Sequence, residues 1–215
     1  MANINYDVPF VADSETDTHC YQACLAMIIQ FFKPELKLTL DQLDIVTDHD
    51  PSSGTWPLQG LEYLRSIGID TILVTPFNYE EFTKDGVEYI RKQYGDEIAQ
   101  WQDENNDLKS DMAKISKLLP TAKIEKRNPL YDDIISGLEK YPVMCSVNSE
   151  IIYGKDGYIG HFVVIRGYDD KGLYLNDPGL PLQQNLFVER ELFQKAWDGF
   201  SSADARFLYT INNFS

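Results

Sequence analysis

The chain has 215 residues, 43% of them hydrophobic and 25% charged, a make-up that fits an ordinary globular protein and excludes a disordered chain or a membrane bundle. Thirty-four acidic against nineteen basic residues give a net charge of −15, which argues against nucleic acid or an anionic membrane as partner, because phosphate binding needs clustered Lys and Arg. No stretch approaches the ~18 consecutive apolar residues of a membrane span, and the opening MANINYDVPFVADSE lacks the basic and apolar regions of a signal peptide, so a cytoplasmic location is expected.

Residues 19–32, HCYQACLAMIIQFF, are apolar nearly all round and predict a helix buried in the middle of the domain, capped by Asp17 or Thr18 and stopped by Pro34. A second helix is expected from Thr39 or Asp41, carrying Leu43 and Ile45. PSSGTWP (51–57) reads as a loop; Leu58, Leu61 and Leu64 then recur at helical spacing up to Gly68. Asp70 to Pro76 reads as a strand. Residues 79–118 read as acidic helices broken at Gly86 and Gly95, with Phe82, Tyr89, Ile90, Ile98 and Trp101 available for burial. Ile134, Ile135 and Leu138 mark a short helix. Strands follow at Pro142–Asn148, Gly160–Tyr168 and Gly172–Asp177, then a helix around Glu189–Trp197 and a last strand, Ala205–Ile211. Helices first and clustered strands later predict an α+β fold with a mainly antiparallel sheet.

The three cysteines, Cys20, Cys24 and Cys145, form no disulfide framework, and an odd, low count suits a reducing compartment. Cys20 falls in the first turn of the buried helix, where unpartnered N–H groups and the helix dipole favour a thiolate. Cys24 and Cys145 read as small packing residues. His49 lies in a polar loop, and His19, about 100° round the helix from Cys20, is poorly placed to take its proton. His161 opens the strand GHFVVIRGY. The turn YDDKG reverses the chain, and GLYLNDPG returns, so His161 and Asp177 become cross-strand neighbours although sixteen positions apart. A carboxylate beside an imidazole holds it in one tautomer and stabilises its protonated form, although NDPG is also good turn chemistry by itself.

Cysteine at a helix start, histidine at a strand start and an acid on the neighbouring strand form the order used by papain-like cysteine hydrolases. HCYQACLAMIIQFF, GHFVVIRGYDDKGLYLNDPG and the upstream VPF resemble the three signature regions of the bacteriocin-processing, double-glycine-leader peptidase family and its stand-alone relatives. The resemblance covers both ends of the chain. It implies a single papain-like catalytic domain over 1–215, with the N-terminal helix packed on the C-terminal sheet and a helical insertion at about 79–125. It further implies Cys20 as nucleophile, His161 as general base and then acid, and Asp177 as orienter. Two departures stand out. The family has a glutamine a few residues before the cysteine to bind the oxyanion, where this chain has Ser14 beside Asp13. It has Gly-Pro after the cysteine, where this chain has Tyr21-Gln22. Ser14 and Gln22 are therefore the oxyanion candidates.

Trp56 is a candidate for the cleft lining, and Tyr153 and Tyr158 lie in a Gly-rich loop that must approach His161. Leu180 to Asn185 leaves Asp177 on the other side. His19, Cys20 and Cys24 offer no fourth ligand at zinc-like spacing, and there is no Walker loop or dinucleotide fingerprint, so neither metal nor cofactor is expected. The expected function is thiol hydrolysis of a peptide or small amide substrate, the alternatives being a weakened or inactive binding module and an acyltransferase on the same fold. The sequence leaves the oligomeric state open.

Overall fold

The computed structural model describes residues 3–49, 55–198 and 206–214. A short strand β1 (Ile4–Asn5) precedes α1 (Cys20–Phe32), α2 (Leu40–Thr47), α3 (Pro57–Ser66) and β2 (Ile69–Thr75). Four helices follow: α4 (Tyr79–Asp85), α5 (Val87–Tyr94), α6 (Asp96–Asn105) and α7 (Leu108–Leu118). The chain continues through β3 (Ile124–Lys126), α8 (Tyr131–Leu138), β4 (Val143–Asn148), α9 (Ser149–Ile152), β5 (Gly160–Tyr168), β6 (Gly172–Asp177), β7 (Gln183–Glu189), α10 (Arg190–Asp198) and β8 (Leu208–Phe214).

The strands form one sheet in the order β3-β2-β8-β4-β5-β6-β7, with β1 paired to β5. Every pairing is antiparallel except β2 with β3. The expected α+β architecture is therefore observed. β1, β3 and β7 were not anticipated, because two are very short and β7 carries mostly polar residues. The expected last strand began at residue 205, and the loop expected at 51–57 includes 51–54; these positions lie outside the described residues.

Alternation along the strands divides the core into two layers. Met144, Val164, Tyr209 and Ile211 pack under α1 and α3, while Val143, Cys145, Val163, Ile165 and Leu175 pack under α8 and α10. Each fully buried Leu, Ile or Phe in these layers contributes about 1.5–3 kcal/mol. α1 is buried continuously from Tyr21 to Ile29, as an all-apolar helix requires. Its start differs from expectation: His19 is the N-cap, without a side-chain cap, and the backbone N–H of His19 donates to Asp13 Oδ1 at 2.8 Å. α2 carries a capping box between Thr39 and Gln42 and ends at Asp48 in the left-handed region, φ 54°.

α1 and α3 touch closely at Gly60. A Cβ there would lie 2.2 Å from the Tyr21 hydroxyl, which donates to Pro57 O at 2.8 Å, and 2.9 Å from Leu25 Cδ1. Gly60→Ala is therefore expected to destabilise the fold by about 1–3 kcal/mol, as overpacking does. Urea denaturation measures this, and an unchanged midpoint would mean that the two helices can separate at no cost.

The helices α4–α7 break at Gly86 and Gly95 as read from the sequence. Phe82, Tyr89 and Ile90 are buried, whereas Trp101 is 48% exposed and contributes little. Trp56 belongs to this region: its ring packs against Phe77 and Phe82, with centroids 5.7 and 4.8 Å away, and Nε1 donates to Asp111 Oδ2 at 3.0 Å. Among the described residues no helix is long and apolar enough to cross a membrane.

Candidate active site

Cys20 is the first residue of α1, His161 the second residue of β5 and Asp177 the last residue of β6. The β5–β6 hairpin is in register at Ile165 opposite Leu175 and Tyr168 opposite Leu173, with an irregularity at Arg166. That register carries Asp177 onto the face of His161. The imidazole Nε2–H donates to Asp177 Oδ1 at 2.6 Å. The side chains of His161 and Asp177 are only 9% and 1% exposed. With Nε2 committed to the carboxylate, Nδ1 is the nitrogen left for a thiol, and Cys20 is close enough for its charge to act on the ring. Phe162 and Val164 pack under α1 while Val163 and Ile165 face the opposite layer. His161 and Cys20 stand at the starts of β5 and α1, and these two elements pack on each other.

The two loops leading to these residues are tied together. Asp13 N–H donates to Pro178 O at 2.9 Å, linking the approach to α1 with the turn after Asp177. Gly179 N–H donates back to Asp177 Oδ1 at 3.0 Å, so the aspartate serves both its turn and the histidine. Gly179 itself lies against the imidazole: a Cβ there would come within 2.7 Å of His161 Cε1. Before β5, Asn148 shapes the loop, accepting from Ile159 N–H at 3.2 Å and donating to Gly157 O at 3.0 Å.

Burial opposes the His161 imidazolium, but hydrogen bonds to Asp177 and Cys20 and the charges of both outweigh it and raise its pKa well above the ordinary value. Burial likewise opposes the Asp177 carboxylate, yet the bond and charge of His161 and the donors Tyr153 and Gly179 hold it below the usual range. The depressed aspartate contributes stability above pH ~3.8 that is lost as pH falls through its folded value. The raised histidine contributes stability that is full below pH ~6.5 and lost as pH rises through its folded value. The melting-temperature gap between the native chain and His161→Ala should therefore be widest from about pH 4 to 6.5 and narrow on either side. Circular dichroism melts across this range measure it; a gap independent of pH would contradict the ion pair.

Tyr153, read from the sequence as a cleft wall, holds the acid instead: its hydroxyl donates to Asp177 Oδ2 at 2.6 Å. Burial and the neighbouring carboxylate push this phenol up, so it remains a donor across the physiological range. Tyr153→Phe removes a charge-assisted bond worth about 1.5–3 kcal/mol. It is expected to raise the acidic midpoint of any His161-dependent reaction and slow that reaction by roughly tenfold. An unshifted pH profile would show the bond to be incidental.

The oxyanion candidates point elsewhere. Ser14 Oγ lies 2.8 Å from His19 Nδ1 and 2.9 Å from Thr16 Oγ1, and Gln22 Nε2 donates to Thr47 Oγ1 at 3.0 Å and Thr55 Oγ1 at 3.2 Å. Asp13 spans the region, with Oδ1 holding the N–H groups of Ser14 and His19 and Oδ2 buried without a hydrogen-bond partner. Trp56 belongs to the aromatic cluster around Phe77, and Tyr158 is half-buried on the loop before β5. Cys24 and Cys145 are fully buried, and burial pushes both thiols up. His49, read as a solvated loop residue, stacks edge-on against His19 with ring centroids 4.8 Å apart. No local pattern signals this pairing, because thirty positions and two helix ends separate the rings.

The mixed α+β scaffold, with a cysteine opening α1 and a buried histidine–aspartate pair on the β5–β6 hairpin, has the architecture of papain-like peptidases. The Peptidase_C39 like family model matches residues 5–205, and the chain belongs to that family. Its fold is similar to that of a double glycine motif protease from an AMS/PCAT transporter, solved with its leader peptide (15% identity, TM-score 0.50, 99% of this chain and 100% of that one). It is also similar to the peptidase domain of Streptococcus ComA, a bifunctional ABC transporter of a quorum-sensing pathway (15% identity, TM-score 0.51, 95% of this chain and 99% of that one). No curated protein matches the chain in sequence. Family and fold suggest a cysteine peptidase.

Proposed function

We propose that the chain is a thiol hydrolase that cleaves a peptide or amide bond through Cys20, His161 and Asp177. The observation that carries this reading is the 2.6 Å bond from His161 Nε2 to buried Asp177, with Cys20 among the groups whose charge acts on the ring. Asp177 fixes the tautomer, so Nδ1 faces the thiol and takes its proton. The thiolate attacks the carbonyl carbon, and His161 returns the proton to the departing amine, leaving a thioester on Cys20. Water, deprotonated by the same nitrogen, then releases the acid.

Backbone N–H groups at the start of α1 are the oxyanion donors in this mechanism, because Ser14 and Gln22 bond elsewhere. A missing side-chain donor costs about 10²–10³ in rate, so turnover is slow. Ile159 (53% exposed) precedes His161 by two residues and Leu180 (58% exposed) follows Asp177 by three, which suits a peptide presenting apolar side chains near the cleaved bond. The leader peptide bound by the transporter protease supports a peptide as the substrate class.

The turned-away Ser14 and the buried Asp13 carboxylate favour a second reading, a binding module that retains the fold with little catalysis. A panel of fluorogenic peptides, followed by mass spectrometry for a thioester on Cys20, separates the two. Cleavage with an acyl adduct supports the hydrolase, and transfer to an added amine in preference to water would make it an acyltransferase. Peptide binding without an adduct or product would overturn the enzyme in favour of the module.

A further inference from the structure

Three groups that the proposed reaction does not use converge beside the start of α1. His19 is the N-cap of that helix, Asp44 lies on α2, and His49 follows the left-handed residue Asp48 that ends α2. Their donor atoms all lie within 4.8 Å of one another. His19 Nε2 is 3.1 Å from Asp44 Oδ2. Two ligands bonded to one tetrahedral cation at about 2.0–2.1 Å stand roughly 3.3 Å apart, so this pair already spans one edge of such a site. The widest pair needs to close by at most about 1.5 Å, which side-chain rotation provides.

The surroundings fit ligation. His19 Nδ1 lies 2.8 Å from Ser14 Oγ and 3.0 Å from Thr18 Oγ1, and His49 Nδ1 lies 2.7 Å from Thr55 Oγ1. Hydroxyls on the second nitrogen are the outer contacts that orient metal-bound imidazoles. His19 Nε2–H donates to Asp44 Oδ2, and a cation takes the place of that proton once it moves to Nδ1, where Ser14 Oγ and Thr18 Oγ1 accept it. The other oxygen, Asp44 Oδ1, is buried without a hydrogen-bond partner. Backbone geometry holds Asp44 on α2 and His49 just beyond it in place, since His49 N–H donates to Asp44 O at 3.0 Å.

The geometry points to a divalent transition-metal site formed by His19, Asp44 and His49, taking Zn²⁺ or a cation of similar chemistry with water as fourth ligand. Two imidazoles and one carboxylate suit zinc, cobalt or nickel rather than magnesium or calcium. The ion clamps the end of α2 to the residue preceding Cys20. It fixes the entry of α1 and performs no step on the substrate.

The test is zinc binding by the full chain under a non-chelating reductant, measured by equilibrium dialysis with elemental analysis and by the visible spectrum of the cobalt form. The native chain should bind about one ion, with a cobalt spectrum of nitrogen and oxygen ligation and a melting temperature raised by zinc. His49→Ala and Asp44→Asn, each checked for native circular dichroism, should weaken binding by about 10–100-fold or more and lose the zinc-dependent rise. Cys20→Ala should bind as the native chain does. Loss of binding in Cys20→Ala with retention in the other two variants, or thiolate bands in the cobalt spectrum, would place the ion on the thiol and overturn the inference. So would absence of binding below millimolar zinc. None of these readouts requires the chain to cleave a peptide, so failure here and failure of the hydrolase remain separate.

Discussion

Cys20→Ala is expected to hydrolyse the best peptide of a fluorogenic panel at least about a thousandfold more slowly than the native chain, since it removes the nucleophile and leaves only binding and backbone dipoles. The same assignment predicts selective alkylation. Near neutral pH iodoacetamide should modify Cys20 about a hundredfold faster than either other thiol, because the thiolate is the reacting species. Cys24 and Cys145 are fully buried, and burial holds both as thiols, whereas Cys20 is partly accessible at the start of α1. His161→Ala should slow the modification of Cys20 and leave the other two unchanged. Peptide mapping after timed alkylation reads all three sites at once. Equal labelling would remove the basis for calling Cys20 the nucleophile.

Gly179→Ala carries the next largest effect. The backbone at this position is not left-handed, so alanine meets no conformational barrier there. The obstacle is the imidazole, with Cε1 2.7 Å and Nε2 3.0 Å from the new methyl position. The ring must move away from Cys20 or tilt off Asp177. A displacement of about 1 Å in a reacting group costs roughly a hundredfold in rate. We expect the hydrolysis rate to fall by about that factor while the far-UV spectrum stays native. Histidine chemical shifts report the displaced ring independently. Native kinetics in this variant would mean that His161 has room to spare and that the close contact does not hold it.

The legible and illegible parts of the molecule divide by range. The burial of α1 follows from its composition alone, and the breaks at Gly86 and Gly95 follow from single residues. The proximity of His161 and Asp177 was legible because a hairpin makes it a local fact: a short turn and period-two alternation carry the argument, even through the irregularity at Arg166. Ser14 and Gln22 were another matter. Their positions relative to Cys20 were plain, but Ser14 is held by Thr16 and His19 in its own turn, and Gln22 is turned by Thr47 of α2 and by Thr55, which no local pattern encodes. Trp56 was drawn from the cleft to the aromatic cluster by Phe77, Phe82 and Asp111 for the same reason.

The sequence by itself determined the class of fold, the buried helix that starts at a cysteine, and the hairpin that joins an imidazole to a carboxylate. Each depends on periodicity or on residues a few positions apart. Only the tertiary structure decided that Tyr153 supports Asp177, that Gly179 lies against the ring, and that His19, Asp44 and His49 converge. Those contacts join separate elements, and their geometry is set by how whole layers pack.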